Sequence, residues 1–317
     1  MLYYQDVIQT AEVTIEQVNF PNQQINLVGN IFKPKKIFKD KYAAIVIGHP
    51  SGGVKEQTAG VYAALLAEKG FLTLVFDASY QGESGGEPRY LESPAARIEN
   101  LRCAVDYLTT RSDVDAEKIA ILGMCAGGGF AIKAAETDLR IKAIATVSMA
   151  DLGDLFRNGL ERDMTDKARQ EFLSQISAQR TREANGAPTL YVGYVPNSEE
   201  ETIGKKNDYR EGYEYYRNSP AKHERSVNKM IFSRLDAVVN FTALDHVKLL
   251  TSRPLLFIVG TKANTKYFSE EAFNKASKPK NIYWIDGATH IQLYYVKKYV
   301  LEAVNELENF YHKNLGD

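Results

Sequence analysis

The sequence predicts an α/β fold built on a mostly parallel sheet, and two observations carry that reading. Short continuous apolar runs, such as Ala43-Ala44-Ile45-Val46-Ile47 and Leu255-Leu256-Phe257-Ile258-Val259, lack the alternation of a strand with one wet face. They read instead as strands covered on both sides, the mark of a parallel sheet. Between these runs lie segments whose apolar residues recur every three or four positions, the period of a helix face. Strands alternating with helices wrap such a sheet on both sides.

Taken in order, residues 7–15 partly alternate, and residues 24–32 read as a second strand before Lys33-Pro34, an antiparallel start. A buried strand at 43–47 ends in Gly48, a helix over 58–69 is closed by Gly70, and a strand over 71–76 ends at Asp77. Ile98, Leu101, Val105 and Leu108 form one helix face; then come a strand at 118–122, a helix at 126–136 and a strand at 141–147. The alternation lapses and resumes with a strand at 254–259, a helix near 270–276 and a strand at 282–285. A last helix carries Leu293, Val296, Val300, Val304 and Leu307 on one face.

The interruption divides the chain into a core made of residues 1–150 and 251–317, with an insertion at 151–250. The insertion is rich in charge (Arg157, Glu161, Arg162, Asp163, Asp166, Lys167) and in tyrosine (Tyr191, Tyr194, Tyr209, Tyr213, Tyr215, Tyr216), and Ser198 to Glu201 reads as a solvated loop. It reads as a largely helical lid, against the alternatives of a structural cap or an oligomer contact. A lid can also serve a homodimer.

Composition removes several classes. With 39 basic and 40 acidic residues the net charge is −1, so neither nucleic acid nor a membrane is expected as a partner. Residues 1–10 lack a basic region followed by an apolar one, and no apolar run has spanning length; cytoplasm is the expected compartment. Two cysteines, Cys103 and Cys125, are too few for a disulfide scaffold, and the five histidines are scattered. Neither a metal nor another cofactor is expected.

Gly123-Met124-Cys125-Ala126-Gly127 follows a buried strand and opens a helix. This is the setting of a nucleophile elbow, with cysteine where serine is usual. The turn strains the nucleophile's backbone, so the flanking residues must be small. At a helix N-terminus the partial positive charge favours thiolate. Cys103 lies within a helix and reads as structural. An acyl-transfer site also needs donors for an oxyanion. The backbone N–H of Ala126 is one candidate, and Ser51 or Gly52, in the loop Gly48 to Gly53, is the other. His49 reads as an anchor of that loop. Tyr80 and Arg89, in the loop after the second core strand, are candidates for touching substrate or for stabilising their own turn.

His290, between the last strand and the last helix, is placed to reach the thiol as its base. The orienting third member is ambiguous. Thr261, Lys262, Ala263 and Asn264 follow the strand that ends at Gly260, and none is acidic. Asn264 could orient the imidazole as an amide does in some Cys-His pairs. Asp151, after the preceding strand, is the other candidate, with Asp154 and Glu270 as weaker ones.

These residues resemble the dienelactone hydrolase-like branch of the α/β-hydrolases, including its uncharacterised bacterial members and its fungal polyketide thiohydrolase and transferase relatives. The resemblance is carried by His49 to Thr58, Tyr80 to Arg89, Leu122 to Gly129, Tyr267 to Ala272 and Gly287 to His290. It implies an α/β-hydrolase fold, a Cys-His-Asp triad and cleavage of esters, thioesters or lactones. Asn264 departs from that triad, and Pro50 stands where dienelactone hydrolases carry the glutamate that gates the thiol, which argues against dienelactone as substrate. The expected function is a cofactor-free hydrolase or acyltransferase working on a small acyl substrate through acyl-Cys125. The competing expectation is a hydrolase-fold binding or sensor protein that has lost turnover with its acid.

Overall fold

The computed structural model describes residues 1–316. Its strands, in chain order, are β1 (Val13–Asn22), β2 (Ile25–Pro34), β3 (Tyr42–Gly48), β4 (Leu72–Phe76), β5 (Val114–Met124), β6 (Ile141–Val147), β7 (Tyr191–Val192), β8 (Met230–Ile231), β9 (Leu255–Gly260) and β10 (Lys280–Ile285). Eight of them form one sheet in the order β1-β2-β4-β3-β5-β6-β9-β10, while β7 and β8 make a separate ribbon. β2 pairs antiparallel with β1 and β4, and all other pairs of the large sheet are parallel.

The helices are α1 (Tyr4–Thr10), α2 (Thr58–Glu68), α3 (Pro94–Thr109), α4 (Ala126–Thr137), α5 (Leu152–Asn158), α6 (Asp166–Ala184), α7 (Asn207–Tyr213), α8 (Leu235–Val239), α9 (Lys266–Lys275), α10 (Gln292–Tyr295) and α11 (Lys297–Leu315). The continuous apolar strands have a direct consequence in packing. Ala44 and Val46 of β3 enter one core with α3, α4 and α9, whereas Ile45 and Ile47 enter the other with α1, α2 and α11. Both faces of the sheet are therefore dry, as the runs required.

Three elements differ from the sequence reading. Residues 7–10 are helical: Ala11 N–H bonds Val7 O at 2.8 Å, and only Val7 of α1 is buried, so the first strand starts at Val13. Leu293 belongs to the short α10, and the chain breaks at Val296 before α11 begins. Helix α9 starts at Lys266 with Thr265 at its N-cap position, four residues earlier than its apolar pattern indicated. Between β6 and β9 about half of the residues lie in α5 to α8 and short helical turns, and the rest form loops and the β7-β8 ribbon.

Candidate active site

Cys125 joins β5 to α4 at φ 53°, ψ −126°, a left-handed conformation that costs a non-glycine residue on the order of 1–3 kcal/mol. The surroundings hold it there. Its N–H donates to Val147 O at 3.1 Å, and its carbonyl accepts from Gly128 and Ala150 N–H at 2.9 Å each. The flanking glycines are spacing requirements. A Cβ on Gly123 would stand 2.4 Å from Gly127 O, and one on Gly127 would stand 2.5 Å from Gly48 O. The elbow therefore sits directly under the loop that leaves β3.

His290 is buried and bonded at both ring nitrogens. Nδ1 is 2.5 Å from Thr265 Oγ1, and Nε2 is 2.9 Å from the hydroxyl of Tyr294. That same hydroxyl also lies beside the Cys125 thiol and favours its thiolate, so a line of groups runs Cys125, Tyr294, His290, Thr265. The orienting position is filled by Thr265, which corrects the sequence expectation. Asn264 turns its side chain to Asp208 of the insertion. Asp151 caps α5, accepting from Asp154 N–H at 3.1 Å and from Ala243 N–H at 2.8 Å, and Asp154 pairs with Arg162.

The electrostatics follow from burial. Desolvation lowers the His290 imidazole to about 4, with no carboxylate beside it to offset the loss of solvent. Burial likewise pushes the Cys125 thiol up, against bonds from the Tyr294 hydroxyl and Ala126 N–H that favour the thiolate. The helix terminus does not win here, because the surroundings are too dry. At neutral pH the pair is thiol and neutral imidazole.

The loop after β3 is anchored from below. His49 is buried, with Nδ1 2.7 Å from Pro50 O and Nε2 accepting from Ala78 N–H at 3.1 Å, the anchoring role expected of it. Lys55 is buried among Asp77 (3.0 Å), Glu56 (2.8 Å) and Glu83, and its own N–H bonds Asp77 Oδ1 at 2.8 Å. Arg225, from the insertion, closes the cluster onto Glu56. Ser51 and Gly52 thus sit on a loop pinned at both ends, and Ser51 Oγ is buried without a hydrogen-bond partner. Arg89 donates to the carbonyls of Ser84 and Gly82. Its guanidinium holds the turn, the stabilising role that was one of the two expected of it. The Tyr80 ring packs where a Cβ on Gly86 would lie, at 2.6 Å, and its N–H bonds Gly85 O at 2.7 Å, which likewise ties it to its own turn.

The insertion covers this centre. The Tyr194 ring lies over Gly52, where an added Cβ would come within 2.7 Å of it, and its hydroxyl donates to Glu92 at 2.8 Å. Ser226 Oγ donates to Gly52 O at 2.6 Å, and the buried Tyr216 is in electrostatic contact with Cys125. A cavity of about 10 Å³ remains between Ser51, Gly52, Tyr194 and Tyr216, room for about one water. Among the described residues no His, Cys, Asp and Glu cluster is arranged to hold a metal ion, and no helix is long and apolar enough to cross a membrane.

Sequence reasoning missed Thr265 and Tyr294. Tyr294 had a usable signal, since it stands four residues after His290, the spacing that brings two side chains to one face of a helical turn. Thr265 had a weaker one, as the hydroxyl residue directly before a helix.

Comparison with known proteins agrees with this architecture. The Dienelactone hydrolase family profile matches residues 27–149, from β2 through the elbow to just past β6. The uncharacterized protein YcjY of Escherichia coli (strain K12) is 38% identical over 299 residues, covering 94% of this chain and 97% of its own. The crystal structure of PA2218 from Pseudomonas aeruginosa superposes with a TM-score of 0.90 at 34% identity, over 96% of this chain and 95% of that one. The thiohydrolase aneE of Aspergillus aculeatus is 25% identical over 254 residues, 78% of each chain. With a relative of 38% identity along nearly its whole length and the family profile matched across the elbow, the chain belongs to the dienelactone hydrolase family and is an α/β-hydrolase.

Proposed function

We propose that the protein cleaves an ester or thioester through an acyl-Cys125 intermediate, with His290 as general base. The observation that carries this reading is the strained elbow cysteine beside Tyr294, whose hydroxyl is 2.9 Å from a histidine held at both ring nitrogens. Cys125 Sγ attacks the carbonyl carbon as its proton passes to His290. The oxyanion is met by the N–H of Ala126 and by that of Ser51 or Gly52. On collapse, His290 returns the proton to the leaving group, and water or a second acceptor then takes the acyl group. A thioester suits a cysteine nucleophile because exchange between thiols is nearly balanced in energy, and the resemblance to the thiohydrolase aneE supports that substrate class. A burst of p-nitrophenol from p-nitrophenyl acetate, stoichiometric with enzyme, tests the intermediate. No burst and no turnover would favour a binding protein instead.

The pH dependence follows from the imidazole. His290 must be neutral to accept the proton, and its pKa is lowered to about 4. The acid limb of kcat/KM is therefore expected near pH 4, with full base function at pH 6, where an unperturbed histidine would be largely protonated. A limb at the ordinary histidine value, measured with a stable ester over pH 3.5–8 (roughly the window that spans both values), would contradict this. Thr265→Asp places a carboxylate at Nδ1 and favours imidazolium, so the limb should move upward. Asn264→Ala and Asp151→Asn should leave the limb in place. The latter keeps an N-cap oxygen but gives up one of the two acceptors that Asp154 N–H and Ala243 N–H use, so its effect falls on stability and not on the limb.

The insertion is read as a lid over the thiol. Tyr194→Ala and Tyr216→Ala are expected to change the ranking of acyl substrates. An unaltered ranking across a panel of chain lengths would mean a purely structural cap.

A further inference from the structure

We propose that Tyr294 is a catalytic residue of this site, its hydroxyl carrying the proton from Cys125 Sγ to His290 Nε2. Thiol and imidazole then act through a phenol and not in direct contact. The inference rests on the acyl-Cys125 reading and deepens it by naming the proton's route.

The geometry leaves the phenol in the middle. The hydrogen bond of Nε2 goes to the Tyr294 hydroxyl at 2.9 Å, and the same hydroxyl lies beside the Cys125 thiol. The relay uses the tautomer in which Nδ1–H donates to Thr265 Oγ1, so that Nε2 presents a lone pair to the phenol. The phenol stays protonated, because burial and the neighbouring Cys125 push its pKa well above the ordinary tyrosine value. While the thiol is protonated, the phenol can offer its one proton to Nε2 and a lone pair to S–H; once the protons have moved, its O–H faces the thiolate, the arrangement that favours that thiolate. Nor is it free to swing aside. Its backbone carbonyl accepts from Thr58 Oγ1 at 3.3 Å, the preceding carbonyl accepts from Tyr62 at 2.8 Å, and Tyr215 packs edge-on at 5.4 Å. The imidazole ring stands 5.6 Å from its ring, tilted by 67°.

The step balances within these groups. The S–H bond breaks as its proton bonds to the Tyr294 oxygen, the phenol O–H breaks as Nε2–H forms, and the sulfur pair makes the S–C bond. The carbonyl π pair moves to oxygen. The phenol ends as it began, and the imidazolium returns its proton to the leaving group along the same line.

The test is pre-steady-state acylation by p-nitrophenyl acetate in four proteins: wild type, Tyr294→Phe, His290→Ala and the double variant. Folding of each is checked by thermal unfolding. A relay predicts that Tyr294→Phe slows acylation about 10²–10³-fold, and that the double variant is no slower than the slower single one, because either change breaks the same line. On the wild type, the rate in H2O–D2O mixtures should curve as two protons in flight require, a readout that needs no variant to fold. Effects that multiply, a Tyr294→Phe rate within about threefold of wild type, or a linear isotope plot would overturn the relay. Cys125→Ala separates the two levels of the account. If it is inert while Tyr294→Phe is normal, only the relay falls, whereas an active Cys125→Ala removes the acyl-cysteine reading and the relay together.

Discussion

Cys125→Ala is expected to lower turnover by on the order of 10³-fold or more and leave the fold intact. The substitution removes Sγ but keeps the three backbone hydrogen bonds that hold residue 125 at φ 53°. Alanine meets the same left-handed strain as cysteine, so stability should move little. Iodoacetamide should label Cys125 faster than Cys103. Developing thiolate at Cys125 is met by the Ala126 N–H and the Tyr294 hydroxyl. The Cys103 thiol is pushed up to about 11 by burial, with Glu99 and Asp106 adding to it. Equal labelling rates, or a Cys125→Ala protein that still turns over, would remove the nucleophile assignment.

Lys55→Met is expected to have the largest effect on stability. The ammonium is 1% exposed and faces three carboxylates, of which Asp77 is wholly buried. Burial opposes the lysine's charge, yet the carboxylates hold its pKa above the ordinary value. Methionine fills a similar volume; Arg225 still faces Glu56 and Glu83, but the buried Asp77 loses its cation, a change that costs about 3–5 kcal/mol. In a chain of this size that lowers Tm by roughly 5–10 °C. The loss should reach activity too, because Lys55 N–H and Nζ both bind Asp77 and so fix the loop that carries Ser51 and Gly52. An unshifted unfolding curve would mean that the cluster is solvated in solution and does not anchor the loop.

The sheet was legible because parallel strands leave a strong mark. Ile141–Val147 was read to the residue, and β3, β4 and β9 to within a residue at each end, since each is a short apolar run bounded by a turn. The elbow was legible because Gly123 and Gly127 leave no room for a side chain: an added Cβ would stand 2.4 and 2.5 Å from backbone oxygens. Residues 7–10 were misread because a single buried side chain, Val7, leaves little period to detect. The orienting residue was misread for a different reason. The loop after β9 holds an amide and no carboxylate, and the group that meets Nδ1 is the hydroxyl of Thr265, turned inward by the start of α9. The Lys55 cluster was invisible because its members lie on four separated segments. Only the folded sheet brings Lys55, Asp77, Glu83 and Arg225 together.

The most direct measurement of the central claim is intact-mass and peptide mass spectrometry of the protein quenched in acid during turnover of a panel of acyl thioesters. The account predicts one acyl group per chain, mapped to Cys125, building up faster than it is released and absent from Cys125→Ala. An acyl group on Cys103 or any other residue, or steady turnover of the panel with no adduct at Cys125, would contradict it.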